Sequence, residues 1–240
     1  MGATRYREWR PPAALRDSLV CLWSSVACDD AETLVLPDAC SDLIWEQGSG
    51  AFVAGPDTGP APFANQAGTV LFAVRFRPGA GGPALGIPLS ELRDQRVDLA
   101  ELRPALARLL PGTLDLKTAA SRVLDVAGRL AADGPADTAM AHASRMLDDP
   151  RARAEDVALT VGISTRQLRR RCHETVGYGP KTLQRVLRFR RFLSRIDAGD
   201  VDLAAIAADV GYSDQAHLTR DCAEMAGLTP AVLARLRGTG

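Results

Sequence analysis

The stretch Ile206-Ala207-Ala208-Asp209-Val210-Gly211-Tyr212-Ser213, followed by Leu218-Thr219-Arg220-Asp221-Cys222 and Gly227-Leu228-Thr229-Pro230, decides the fold because it occurs twice. Its earlier version runs Val157-Ala158-Leu159-Thr160-Val161-Gly162-Ile163-Ser164, then Leu168-Arg169-Arg170-Arg171-Cys172, then Gly177-Tyr178-Gly179-Pro180. The offset is 49 from Ser164 to Ser213 and 50 from Leu168 to Leu218. Each copy reads as a helix, a glycine-containing turn and a second helix, the helix-turn-helix pattern of DNA binders. Gly162 and Gly211 permit the tight turn, and Ser164 and Ser213 are expected to cap the second helices. Leu168 with Cys172, and Leu218 with Cys222, stand four apart on one buried face.

Working outward, 181–196 reads as one helix between the units. Leu183, Val186, Leu187, Leu193 and Ile196 can bury one face. Arg185, Arg188, Arg191 and Arg195 recur on another, where they could touch a phosphate backbone. The exposed faces of the two second helices then hold Thr165, Arg166, Arg169 and Arg170, and Gln215, His217, Thr219 and Arg220. These residue types hydrogen-bond base edges and phosphates: Arg binds guanine at two points and Gln does so with adenine. Together with Arg188 they are the candidate DNA-binding set. Arg170 and Arg220 are equivalent across the repeat and are either phosphate clamps or structural ion-pair partners.

The 29 basic and 29 acidic side chains cancel over 240 residues, but unevenly. Residues 150–240 hold 15 Lys and Arg against 10 Asp and Glu, a balance of +5 that leaves −5 on residues 1–149. Within 166–195 ten basic residues face only Glu174. A charge run is usually a solvated face; its overlap with the repeat favours phosphate attraction instead.

Residues 1–100 carry short apolar runs, 33–36, 42–45, 51–54 and 70–76, bounded by Pro, Gly and Asp, which suggest a small barrel or sandwich. Helical periodicity begins near Pro88-Leu89-Ser90-Glu91-Leu92; two helices are expected over 101–133, broken at Pro111-Gly112, and Asp133-Gly134-Pro135 is a candidate linker. The fold class is therefore α+β with two domains. Residues 1–134 form a β-barrel- or sandwich-like domain with following helices, and residues 135–240 an all-α domain of two helix-turn-helix units joined by a long helix. Cys21, Cys28, Cys40, Cys172 and Cys222 show no metal-ligand spacing. With no apolar leader and no 18-residue apolar run, a reduced cytoplasmic protein without membrane contact is expected.

The C-terminal motifs resemble the DNA-binding domain of AraC/XylS-type transcription regulators over about residues 140–238. The segment from Ile206 to Arg220 with Gly227-Leu228-Thr229-Pro230 is close to that family's second-unit signature. The resemblance implies two units binding adjacent major-groove segments. Cys172 and Cys222 depart from it, standing where the family usually has Phe, so both unit cores are expected to be looser. The N-terminal half resembles a sensor-type domain fused to this module in some bacterial regulators, carried by 36–45, 74–80 and 85–92. The resemblance implies no particular ligand. All three His (142, 173, 217) lie outside it, so no His-based metal site and no cofactor are expected.

Two readings of the N-terminal half stay open. In one, Trp23 or Trp45 walls an effector pocket, with Asp38, Asp42, Arg75 or Arg77 as polar contacts. In the other, the tryptophans are core and the charges pair with each other. Arg75 alternates with Val74 and Phe76; if it faces the interior, a carboxylate or a ligand must pair it. The expected function is a sequence-specific, effector-responsive transcription regulator and not an enzyme. Its partners would be double-stranded DNA, a small-molecule effector, a second copy as a homodimer and, if it activates, RNA polymerase. The alternatives are a cysteine-based DNA repair or modification enzyme, and a sensor signalling through a protein partner.

Overall fold

The structure, a computed structural model, describes residues 4–237. Strands β1 (Thr4–Trp9), β2 (Leu19–Ala27), β3 (Ala31–Val35), β4 (Ser41–Glu46), β5 (Gly50–Ala54), β6 (Ala61–Asn65), β7 (Val70–Phe76) and β8 (Arg96–Asp98) make two antiparallel sheets. Six strands run in the order β1-β2-β7-β4-β5-β8, and β3 pairs with β6 as a separate ribbon. The large sheet is open: β1 and β8 are its edges, so the expected barrel does not close.

Alternation along each strand assigns the two faces. On one, Leu22, Leu43, Trp45, Val53, Phe72, Val74 and Phe76 form a core with Val123, Val126, Ala127 and Leu130 of α4. On the other, Cys21, Trp23, Ile44, Leu71 and Ala73 make a smaller cluster, flanked by Phe52 and by Phe63 of the ribbon. Helix α1 (Gly81–Leu85) follows β7, and the expected helix start at Leu89 is a single 3₁₀ turn, Leu89–Glu91. Of the two helices expected over 101–133, the first is broken into the short turns α2 (Leu99–Leu102) and α3 (Pro104–Ala107); the second is α4 (Leu116–Asp133).

The remaining helices are α5 (Thr138–Leu147), α6 (Ala154–Thr160), α7 (Thr165–Val176), α8 (Pro180–Asp197), α9 (Leu203–Val210), α10 (Gln215–Ala226) and α11 (Pro230–Arg237). One continuous core joins them around α8, whose Leu183, Val186, Phe189 and Phe192 are fully buried. Cys172 and Cys222 are fully buried in that core, as their place on the helix face requires. Gly162 and Gly211 adopt φ of +72° and +93°, the left-handed conformation that ends the first helix of each unit.

The two halves meet closely. Helix α1 and the 3₁₀ turn pack on α7, the Gly79 N–H donates to the Thr175 carbonyl at 3.3 Å, and the Asp137 N–H donates to the Gly79 carbonyl at 3.0 Å. A Cβ on Gly82 would lie 2.2 Å from the Glu174 oxygen, so only glycine allows this approach. Gly82→Ala is therefore expected to cost about 1–3 kcal/mol in chemical denaturation of the full chain. Gly128→Ala in α4, where nothing lies within 4 Å of the new methyl group, should instead stabilise by about 0.5–1 kcal/mol. Equal effects would mean that the contact at Gly82 does not hold the halves together.

Candidate nucleic-acid interface and interdomain cavity

Helix α7 begins in a capping box. The Ser164 hydroxyl accepts from the Gln167 N–H at 3.2 Å, and Gln167 Oε1 accepts from the Ser164 N–H at 2.8 Å. This fixes the first turn, from which Thr165, Arg166, Arg169 and Arg170 project into solvent. Arg170 pairs with Glu174 at 3.5 Å and stays 66% exposed. Arg166 and Arg169 make no side-chain hydrogen bond or ion pair among the described residues. In the second unit the cap is Asp214, whose carboxylate accepts from the His217 N–H at 2.7 Å, and not Ser213. The extra residue that changes the repeat offset from 49 to 50 thus falls before the cap. Gln215, Thr219 and Arg220 are exposed, with the Thr219 hydroxyl donating to the Gln215 carbonyl at 2.9 Å.

His217 and Arg188 do not join that surface. The guanidinium of Arg188 stacks 4.7 Å from the Tyr212 ring centroid and reaches His217 Nε2 at 3.2 Å and Asp221 Oδ2 at 3.3 Å. The His217 ring stands edge-on to Tyr212, with Nδ1 3.2 Å from the Ser213 hydroxyl. Arg188 is turned inward because Asp221, 3% exposed on α10, needs cationic partners, and His217 packs between Tyr212 and Arg188. Arg185 supplies the other at 2.7 Å and also pairs with Glu224. Arg191 joins Asp148 and donates to the Val210 carbonyl at 3.2 Å. Arg195 joins Asp200 and, at 3.0 Å, Asp209, and Arg171 of α7 joins Asp137. The arginine stripe of α8, which could also touch a phosphate backbone, is engaged in ion pairs and hydrogen bonds that tie α8 to α5, α9 and α10.

A cavity of about 780 Å³ lies between the smaller-cluster face of the large sheet, the β3–β6 ribbon, and Arg190, Leu193, Ser194 and Asp197 of α8. Of the sequence-proposed ligand residues, Trp23, Asp38, Asp42 and Arg75 line it. Trp45 does not: it sits on the opposite face of the sheet, fully buried, its indole N–H donating to the Pro111 carbonyl at 3.0 Å. Arg77 lies beyond the end of β7 and donates to the Arg16 carbonyl at 2.8 Å. Arg75 stands directly across from Asp42 in the β4–β7 register and makes two bonds to it, at 3.1 and 3.2 Å. Asp38 at 3.3 Å and Glu8 at 3.9 Å are its further partners. The Trp23 indole N–H donates to Asp42 at 3.0 Å.

Glu8, Phe52, Phe63, Arg96 and Arg190 also line the cavity and were not anticipated. Burial pushes the Cys21 thiol up to about 11 and Cys40 well above its usual value, so both hold protons at neutral pH, unlike a cysteine nucleophile. Among the described residues, no group of three or more His, Cys, Asp or Glu is placed to hold a metal ion, and no helix is long and apolar enough to cross a membrane.

Residues 157–235 match a family model described as a helix-turn-helix domain. Residues 157–235 thus form a helix-turn-helix domain of the AraC type. Residues 7–98 match a model described as a domain of unknown function, DUF6597. No curated protein matches the chain. Among solved structures, the chain is similar to ToxT from Vibrio cholerae O395, with 10% identity, 87% of this chain and 94% of that chain covered, and a TM-score of 0.48. It is also similar to an apo ToxT variant from Vibrio cholerae strain SCE256, with 11% identity, 97% and 96% coverage, and a TM-score of 0.43.

In this AraC-type domain Asp221 is the anion that anchors the second unit to α8. Asp221→Ala leaves two part-buried guanidiniums without it and is expected to cost roughly 3 kcal/mol, read as a lowered denaturation midpoint. Arg220→Ala, next in sequence but exposed, should change stability by less than about 0.5 kcal/mol. If the two variants unfold alike, Asp221 is not the anchor.

Proposed function

We propose that this protein is a sequence-specific, effector-responsive transcription regulator in which α7 and α10 read adjacent segments of the major groove from one chain. The observation that carries this reading is the contrast between used and unused cations. Arg185, Arg188, Arg191 and Arg195 are engaged in holding the domain together, while Arg166 and Arg169 remain without internal partners on the exposed face of a capped helix. Thr165, Arg170, Gln215, Thr219 and Arg220 complete the proposed reading surface. The two faces differ in charge. The α7 face presents three guanidiniums, whereas on α10 the single Arg220 lies near the Asp214 carboxylate. The first unit therefore supplies most of the phosphate attraction, and the second contributes mainly base discrimination. The effector would occupy the cavity between the halves, where Trp23, Asp38, Asp42 and Arg75 converge. Double-stranded DNA is the partner in this reading, and the cytoplasm its place of action.

Selection of bound duplexes from a random library by the full-length protein, at physiological salt, should enrich two boxes about 10 base pairs apart. Arg166→Ala is expected to relax one position of the first box by about 1–3 kcal/mol, and Gln215→Ala one position of the second. A library that shows no enrichment, with binding insensitive to salt, overturns the reading.

A further inference from the structure

The charges around the interdomain cavity do not balance. Asp57 and Arg96 form a two-point pair at 3.0 and 3.1 Å, and Asp197 and Arg237 another at 2.6 and 2.7 Å, so these four cancel. The other charged lining groups are three carboxylates, Glu8, Asp38 and Asp42, against two guanidiniums, Arg75 and Arg190. Even with Arg190 counted in full, one negative charge is left over.

The three carboxylates differ in what they have left to offer. Both oxygens of Asp42 are taken, by the two bonds from Arg75 and the Trp23 indole. Asp38 accepts the Cys40 N–H at 2.9 Å and meets Arg75 only at 3.3 Å, with its side chain 31% exposed. Glu8 accepts the Tyr6 hydroxyl at 2.6 Å, stands 3.9 Å from Arg75 and is 48% exposed. Arg75, shared among three anions, has little attraction left for a fourth. Burial pushes the Asp42 carboxyl above its usual range although Arg75 opposes that, and Asp38 adds to the upward push on Asp42 and Cys40. With one guanidinium, Arg75, shared among Asp42, Asp38 and Glu8, the unpaired charge at this end of the cavity is negative.

Aromatic surface lines the same cavity. Trp23, Phe52 and Phe63 line the cavity, and the Tyr6 and Trp23 ring centroids lie 5.9 Å apart. Ring faces attract cations, more strongly where water is displaced. The volume of about 780 Å³ is that of a drug-sized ligand site. A cation with an apolar body meets both features at once, whereas an anion meets the surplus charge unfavourably.

We propose that the interdomain cavity takes a hydrophobic organic monocation, with its charge against Asp38 and Glu8 and its apolar body against Trp23, Phe52 and Phe63. This rests on the effector-responsive reading above and names the chemical class of that effector.

Tetraphenylphosphonium and tetraphenylborate have nearly the same shape and opposite charge, so calorimetric titration of each into the full-length protein isolates the sign. The cation should bind at least tenfold more tightly than the anion, and Asp38→Asn should weaken it tenfold or more. Glu8→Gln, on the exposed edge strand, gives a second variant with a smaller loss in the same direction. Tetraphenylborate binding equally or better, no binding of either ion, or cation binding unchanged in both variants overturns the proposal. Repeating the titration against labelled duplex separates the two levels of inference. Cation binding that leaves duplex affinity unchanged keeps the ligand class and sinks the effector reading, whereas a duplex response to the anion alone does the reverse.

Discussion

Helix α8 is the constraint on which the rest of the molecule depends. It buries eight side chains along its 18 residues, among them Phe189 and Phe192 with no exposed surface. At about 1.5–3 kcal/mol for each large apolar side chain removed from water, this one element outweighs any single ion pair in the domain. Its flank of arginines then sets direction. Bonds to Asp148, Asp209 and Asp221 fix which faces of α5, α9 and α10 turn toward it. Burial supplies the adhesion, and the paired charges supply the angular position that a non-directional hydrophobic contact cannot.

The repeated pattern made the C-terminal architecture readable, because glycine turns, caps and four-residue spacing are local signals. Gly162 and Gly211, the Ser164 cap and the burial of Cys172 and Cys222 all follow from residues within a few positions of one another. What was not readable depends on partners distant in sequence. A count of ten basic residues in 166–195 cannot reveal that Asp137, Asp148, Asp209 and Asp221 neutralise many of them, so Arg188 looked available when it is enclosed. Similarly, the one-residue insertion between the repeats moved the second cap from Ser213 to Asp214, a shift visible only once the start of α10 is known.

In the N-terminal half the limit is parity. Asp42-Leu43-Ile44-Trp45 is buried on both faces of its strand, so hydrophobic alternation cannot say which side meets the helices. Trp45 goes to α4 and Trp23 to the cavity, although both are aromatic residues in apolar runs. Arg75 was different. Its charge among apolar neighbours demanded a carboxylate or a ligand, and the strand register places Asp42 opposite it. The open sheet follows from strand order, to which β1 and the three-residue β8 contribute edges with no strong pattern of their own.

The position of the cavity gives the effector reading its physical route. Unit one is held to the N-terminal half directly, through the glycine-permitted contact of α1 with α7. Unit two draws its clamps from α8, and α8 also forms one wall of the cavity through Arg190 and Leu193. On the effector reading proposed above, a ligand that widened or narrowed the gap between sheet and α8 would move α8 and its clamps on α10 relative to the α1–α7 contact. Because a paired, close-packed interface repacks between discrete arrangements more readily than it stretches, such a displacement would alter the spacing of the two reading helices. Spacing is what two helices in successive major grooves must match to the pitch of DNA. Regulation by this route needs no contact between effector and DNA, only a differential fit of the ligand to two positions of one helix.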